Sequence, residues 1–174
     1  ATTTTEFFMI TDAQGHALSG ATTEAAAHYE QAVTAFNLYR GDPMAALDVR
    51  FLDRYFDLYV MSAMQLAVDT ALQRYPMTVD KGRAIASERL ERAYVWLEGH
   101  LAGKTWAHGE HFTLADCAAA PSLFYADWVH PIPETYPALR AYRARLLARP
   151  SFARAVEEAR PFRPLFPLGA PDRD

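Results

Sequence analysis

Cysteine is nearly absent from this chain of 174 residues, which contains only Cys117. A single cysteine excludes an intrachain disulfide and is typical of proteins from a reducing compartment. The sequence also lacks the run of about 18 apolar residues that predicts a transmembrane helix. Its threonine-rich start has no basic segment of the kind that opens a secretory signal. We therefore expect a cytoplasmic protein that does not enter a membrane.

Excess positive charge is also missing, since the net charge is -4. This argues against a nucleic-acid partner, because phosphate binding needs clustered Lys and Arg. One local run of arginines at helical spacing is interpreted as a solvated helix face. Its members are Arg140, Arg143, Arg145 and Arg149. No metal site is expected, because the group formed by His108, Glu110 and His111 fits no known ligand spacing well and is typical of a solvent loop.

Apolar residues are abundant, at 51% of the chain, which is enough for a core without disulfides or metals. They recur at intervals of three and four residues, which predicts helices, and prolines and glycines mark where these helices end. The predicted helices span about residues 22–38, 44–75, 80–101, 113–130, 136–148 and 151–159. The sequence therefore predicts an all-α fold, a helical bundle of about six helices.

The two ends of the chain have a different composition. Residues 1–21 are expected to be irregular, because the one strand candidate, Phe7–Ile10, has no partner. Residues 161–174 contain four prolines. We expect this tail to be extended, with Phe162, Leu165 and Phe166 lying on the domain.

A helix-capping signal stands at Thr113 and Asp116. Thr113 is suited to the N-cap position, and the Asp116 carboxylate, three residues on, can accept a hydrogen bond from the Thr113 amide. Phe112 can pack onto the next helical turn. This structural capping box explains both polar residues without any chemistry. The adjacent Cys117 is interpreted as a small buried thiol, since no basic neighbour would lower its pKa.

The capping segment resembles the start of a helix in the C-terminal domain of glutathione transferases. The resemblance extends in order from about residue 48 to residue 174. The segments that carry it are Val49–Asp57, Trp96–Glu98, Leu101–Gly103, Trp106–Asp116, Tyr136–Leu139 and Arg149–Phe152. It implies an all-helical domain that lines the hydrophobic electrophile site of a transferase and that often pairs with a second copy.

Residues 1–47 do not resemble that family. Its thioredoxin-like first domain, which holds glutathione and the catalytic residue, needs roughly 75–80 residues of alternating strands and helices. The pattern of residues 22–47 instead predicts an extra helix and turn. Gly41–Pro43 gives this segment a weak likeness to tetratricopeptide proteins. We therefore expect no catalytic residue, no glutathione site and no other cofactor in this chain.

The resemblance implies a set of substrate-binding residues. They are Tyr55, Tyr59, Met64, Trp128 and Phe166, with Phe124 and Phe162 in second rank. From the residues alone, core packing or a dimer surface is the better explanation of the same apolar side chains. Asp57 would reach the glutathione of a second subunit, and both it and Asp53 are otherwise expected to be solvated. The first function hypothesis is thus a glutathione transferase-like protein that is inactive alone. The alternative is a binding or scaffold module for apolar ligands or protein partners, including a homodimer through the long helices.

Overall fold

The computed structural model describes Ala27, Tyr29 and residues 43–174. The chain divides into two units, residues 1–44 and residues 45–174. The strand expected at Phe7–Ile10 and the irregular residues 1–21 lie outside the described residues. The same holds for the helix expected at residues 22–38, apart from Ala27 and Tyr29, which are helical and exposed.

Helices make up nearly all of residues 43–174. The α-helices are α1 (Pro43–Tyr55), α2 (Ser62–Ala71), α3 (Val79–Leu101), α4 (Leu114–Val129), α5 (Pro137–Ala148) and α6 (Pro150–Ala159). A π-helical stretch, Phe56–Met61, joins α1 to α2, and a 3-10 helix, Arg160–Leu165, follows α6. Trp106 and Gly109 form an isolated bridge between the helices, and no strand is present in this range. The predicted all-α fold is confirmed.

The long first helix differs from its prediction in two ways. It ends at Ala71, not at Tyr75, because Gln73 adopts a left-handed backbone with φ of 58°. A π-helical stretch also interrupts it, in which hydrogen bonds span five residues where those of an α-helix span four. Phe56 and Val60 are fully buried in this stretch, at the usual four-residue interval, whereas Tyr59 is 59% exposed.

The helices α2 and α3 approach each other closely at Gly82. A β-carbon built on Gly82 would lie 2.5 Å from the Thr70 hydroxyl oxygen. Thr70 is itself buried, and its hydroxyl donates to the Leu66 carbonyl at 2.7 Å. Only glycine fits at this position without a shift of the neighbouring helix.

The core lies between the first helix (α1, the π-helical stretch and α2), α3, α4 and α5. Its largest fully buried side chains include two tyrosines, Tyr94 and Tyr142. The Tyr94 hydroxyl donates to the His130 carbonyl at 3.0 Å, and the Tyr142 hydroxyl donates to the Asp116 carboxylate at 2.7 Å. Burial raises the pKa of both phenols. Each polar tip is therefore satisfied inside the core, as buried hydroxyls require.

The arginine run is not the solvated face that its spacing suggested. The Arg143 guanidinium is largely buried and lies 3.4 Å from the Asp127 carboxylate. Arg145 donates to the carbonyls of Thr105 and Lys104. Arg149 places its guanidinium 3.8 Å from the centre of the Phe112 ring. Three of the four arginines thus hold loops and helix ends, because a long side chain can bury its stem and still reach an acceptor.

Candidate functional site

An apolar cleft lies between α2, α4 and the C-terminal tail. Its volume is about 370 Å³, which is in the range of small-molecule sites. Three groups of residues line it: Met61, Met64, Gln65 and Val68 from the first helix, Phe124, Tyr125 and Trp128 from α4, and Val156, Ala159, Phe162, Arg163, Leu165, Phe166 and Pro167 from α6 and the tail. The cleft combines aromatic rings with flexible thioethers, which suits apolar ligands of varied shape.

Aromatic contacts build the wall of the cleft around Trp128. The ring centres of Phe124 and Trp128 are 4.7 Å apart, and Phe166 meets Trp128 edge to face at 5.2 Å. Phe166 also stacks on Tyr125 at 5.9 Å. The Trp128 ring nitrogen is buried without an acceptor among the described residues. The wall therefore contains one donor that the protein itself does not satisfy.

The tail that closes the cleft is fixed by polar contacts. Arg163 lines the cleft, with its guanidinium 5.4 Å from the Trp128 ring centre. The Asp174 carboxylate pairs with Arg163 and also with Arg160, at 2.7 Å from the latter. Further back, Arg83 of α3 donates to the Leu168 carbonyl at 2.8 Å. These contacts hold the tail across one side of the cleft.

A second, aromatic surface lies on the other side of the first helix, against α3. Tyr55 stacks on Tyr59 at 4.9 Å and on Trp96 at 4.2 Å. Trp96 in turn stacks on His100 at 4.8 Å, and Phe51 meets Trp96 edge to face. Burial, and secondly the charge of Tyr59, raises the pKa of Tyr55 to about 12. We call this row of rings the aromatic ladder.

The structure separates the residues that the sequence grouped as one substrate site. Met64, Trp128 and Phe166 line the apolar cleft, together with the second-rank residues Phe124 and Phe162. Tyr55 and Tyr59 belong instead to the aromatic ladder and line a separate hollow beside Trp96. Met64 follows Tyr55 by nine residues, so regular winding of about 100° per residue already turns the two toward opposite faces of the helix.

Asp57 lies in that π-helical stretch. Its carboxylate is 42% exposed and pairs with Arg54 at 3.0 Å. Asp53, which also pairs with Arg54, is far less exposed than the solvated position expected for it.

The capping carboxylate has more partners than a capping box needs. Asp116 is fully buried and accepts from the Thr113 amide at 2.7 Å and the Thr113 hydroxyl at 3.1 Å. It also accepts from the Ala107 amide at 2.8 Å and the Tyr142 hydroxyl at 2.7 Å. The box at the start of α4 is therefore joined to the preceding loop and to α5.

The remaining candidates carry no chemistry in this geometry. Cys117 is exposed, so its interpretation as a buried thiol was wrong. Partial desolvation still raises its pKa, which disfavours a reactive thiolate. Within the described residues, no three His, Cys, Asp or Glu side chains are grouped so that they could hold a metal ion.

Two of the cleft residues that sequence reasoning missed are polar, Gln65 and Arg163. Gln65 lines the cleft beside Met64, and its side-chain amide donates to Asp69 at 3.0 Å. Arg163 brings a positive charge to an otherwise apolar lining. For Gln65 the helical spacing from Met61 was a usable signal. For Arg163 there was none, because the path of a proline-rich tail cannot be read from periodicity.

The fold and the cleft together define an all-helical domain with a lateral apolar site. Residues 26–145 match the family "Glutathione S-transferase, C-terminal domain", which is more than half of the sequence. The chain belongs to this family. The matched range begins before residue 48, where the sequence resemblance was placed. No curated protein matches the chain.

Solved structures of transferases share the fold. A glutathione S-transferase domain-containing protein from Marinobacter aquaeolei VT8 has a TM-score of 0.55 and 22% identity, over 83% of this chain and 73% of that one. Gtt2 from Saccharomyces cerevisiae has a TM-score of 0.57 and 18% identity, over 84% and 73%. A glutathione S-transferase from Rhodospirillum rubrum F11 has a TM-score of 0.56 and 20% identity, over 81% and 66%. At these identities the likeness concerns the fold alone.

None of the helices in residues 43–174 is both long enough and apolar enough to cross a bilayer.

Proposed function

We propose that the apolar cleft binds a small apolar electrophile, as the helical half of a glutathione transferase-like protein. The observation that carries the proposal is the aromatic and thioether lining around Trp128, Phe166 and Met64. Family membership supports the reaction class. In such a reaction the helical half would hold the electrophile close to the thiolate, which supplies a proximity contribution to the rate.

The 174-residue chain by itself is proposed to have little or no transferase activity. Residues 1–47 contain no strand–Pro–strand pattern suited to glutathione, and their single proline, Pro43, opens α1. An unassisted thiol has only a few per cent thiolate at neutral pH. Conjugation of chlorodinitrobenzene by the purified chain should therefore stay at the uncatalysed rate. Turnover that is lost on mutating one residue of this chain would show a glutathione site within it.

Ligand binding is tested with the uncharged fluorescent probe N-phenyl-1-naphthylamine. We expect saturable binding that quenches or shifts Trp128 emission, because that ring forms part of the cleft wall. Phe166→Ala should weaken binding about fivefold to tenfold through lost apolar contact. Leu114→Ala is the matched control, since Leu114 is an exposed apolar residue that is not part of the cleft lining. Equal effects of the two substitutions would count against the cleft.

The aromatic ladder supports a second candidate function, a partner-binding module. Leu58 and Tyr59 are each about 60% exposed, and Arg89 and Arg92 flank the same hollow. An exposed apolar patch bordered by polar residues is typical of protein interfaces. A homodimer through the long helices is the form of this candidate that we propose. Asp57, next to Leu58, would then face the second copy.

Sedimentation velocity tests the dimer. Leu58→Glu should convert a dimer into a monomer, because a charge would be placed in an apolar contact. Leu165→Glu is the matched control, since Leu165 is also exposed but lies at the cleft. A wild-type chain that is monomeric at all concentrations, or a dimer that survives Leu58→Glu, would contradict the assignment.

A further inference from the structure

We infer that the cleft selects aromatic anions, and that the Asp174 carboxylate is an internal competitor for the group that would bind the anion, Arg163. The inference rests on the proposed function, since it concerns the ligand class of the same cleft. It assigns to the tail a role in ligand choice beyond covering the site.

Arg163 is placed to receive a negatively charged group at the cleft. It is the charged residue in a lining otherwise formed by apolar side chains, Gln65 and Tyr125. Its side chain is only 17% exposed, so its charge is poorly screened by water. A ring stacked against Trp128 and Phe166 would bring a substituent within reach of the guanidinium, which lies 5.4 Å from the Trp128 ring centre. A guanidinium binds carboxylates and sulfonates through paired donors.

The Asp174 carboxylate already pairs with this guanidinium. The carboxylate pairs with Arg163 through one oxygen and with Arg160 through the other. These pairs join Asp174 to two residues that lie 11 and 14 positions earlier in the sequence. The Asp174 side chain is 34% exposed, so its carboxylate can exchange its contact with Arg163 for water when a ligand anion takes its place.

Arginines are concentrated around the tail. The ion-paired cluster contains four of them, Arg143, Arg160, Arg163 and Arg173. Three side-chain carboxylates pair with them, those of Asp127, Asp174 and Glu157. Because Asp174 is shared by two arginines, a ligand anion that replaced it at Arg163 would leave it paired with Arg160.

A neutral and an anionic probe with the same rings separate the two parts of the argument. N-phenyl-1-naphthylamine reports on the apolar cleft alone, and 8-anilino-1-naphthalenesulfonate adds a sulfonate. We expect the wild-type chain to bind the sulfonate more tightly than the neutral probe. Failure of both probes to bind would overturn the proposed function. Binding of the neutral probe with no preference for the sulfonate would overturn only the present inference.

Three variants test the competition. Asp174→Asn should bind the sulfonate about fivefold more tightly than wild type, because the side chain that competes for Arg163 has lost its charge. Its affinity for the neutral probe should not change. Arg163→Gln should bind the sulfonate about tenfold more weakly than wild type, again with little change in its affinity for the neutral probe. Asp172→Asn is the matched control for charge, since Asp172 is exposed on the same tail, and should change neither affinity.

One further control distinguishes competition from a loosened tail. Arg83→Gln removes the hydrogen bond to Leu168 and leaves the Asp174 pair in place. A tail that merely hinders entry would give both probes the same gain in Arg83→Gln and in Asp174→Asn. That result would overturn the inference. A gain confined to the sulfonate and to Asp174→Asn, with unchanged melting temperatures, would support it.

Discussion

The two ends of α4 each bury a carboxylate, and they stabilise it by different means. At the N-terminal end, Asp116 accepts hydrogen bonds from two backbone amides and two hydroxyls, all of them neutral. At the C-terminal end, Asp127 pairs with Arg143 and Arg173 and accepts from the Ile132 amide at 2.8 Å. Both aspartates are at least nine-tenths buried.

The two sets of partners differ in charge and in place. The donors to Asp116 lie in the preceding loop, in the capping box and in α5, whereas Arg173, 46 positions from Asp127, lies in the tail. Neutral donors in the core are nearly indifferent to salt, but ion pairs that reach the surface are screened by it. The N-terminal end therefore joins α4 to α5 through neutral groups, and the C-terminal end is where α4 receives the tail.

Loss of the Asp116 carboxylate should have the largest effect. A capping box alone predicts about 1 kcal/mol for Asp116→Ala. The structure raises this to about 3 kcal/mol, because the Ala107 amide and the Tyr142 hydroxyl would also stay buried without an acceptor. Urea unfolding followed by circular dichroism measures the change. Asp80→Ala, in the exposed first turn of α3, is the control and should cost about 0.5 kcal/mol or less. Similar losses in both variants would contradict the special position of Asp116.

Asp127→Asn should come second, at roughly 2 kcal/mol, since it leaves the largely buried Arg143 without its charge partner. Arg173 can still turn to water, because 42% of its side chain is exposed. The variant should also show a smaller change of unfolding free energy between low salt and about 0.5 M salt than wild type does. The comparison of the two ends would be contradicted if the unfolding free energy became less dependent on salt in Asp116→Ala but not in Asp127→Asn.

The smallest expected effect is on the pH dependence of stability. It concerns Glu91 of α3, which contacts His130 at the C-terminal end of α4. Glu91 accepts from the His130 ring at 2.8 Å and from the Tyr136 hydroxyl, and these bonds, His130 first, hold its pKa below the usual value. Because the folded pKa is the lower one, the stabilisation is present above the unfolded pKa and is lost as pH falls through the folded pKa. Glu91→Gln should remove this acid-dependent part of the stability. Glu88→Gln, at an exposed site on the same helix, should leave the acid profile as in wild type.

Much of the fold follows from local sequence rules, and the N-terminal end of α4 shows why. The Thr113 and Asp116 pair is three residues apart, so helix geometry alone brings the two together. Proline positions likewise predict the breaks before α6 and after α4. The partners of Asp127 could not be predicted in this way. Arg143 and Arg173 come from different elements, and the helical spacing of Arg143 gives the same pattern as a solvated face, whereas Arg173 lies in the irregular tail.

The candidate site was predictable only in part, for the same reason. Met64, Trp128 and Phe166 were chosen by residue type and by family likeness, and tertiary packing brings them to one cleft. Tyr55 and Tyr59 have the same residue character but lie in another hollow. Cys117 was expected to be buried because it sits in an alanine-rich segment, yet the position after a capping Asp points outward. Side-chain type predicts burial well only where the helical phase is known.

The π-helical stretch Phe56–Met61 lies within the buried stripe of the first two helices. Phe56, Val60 and Met64 keep regular intervals of four residues across it, and all three are buried. Removing one residue here would turn the buried stripe of one half by about 100° relative to the other. An alignment gap placed between Phe56 and Met61 would therefore pair core positions on one side of the stretch with positions that lie off the core face.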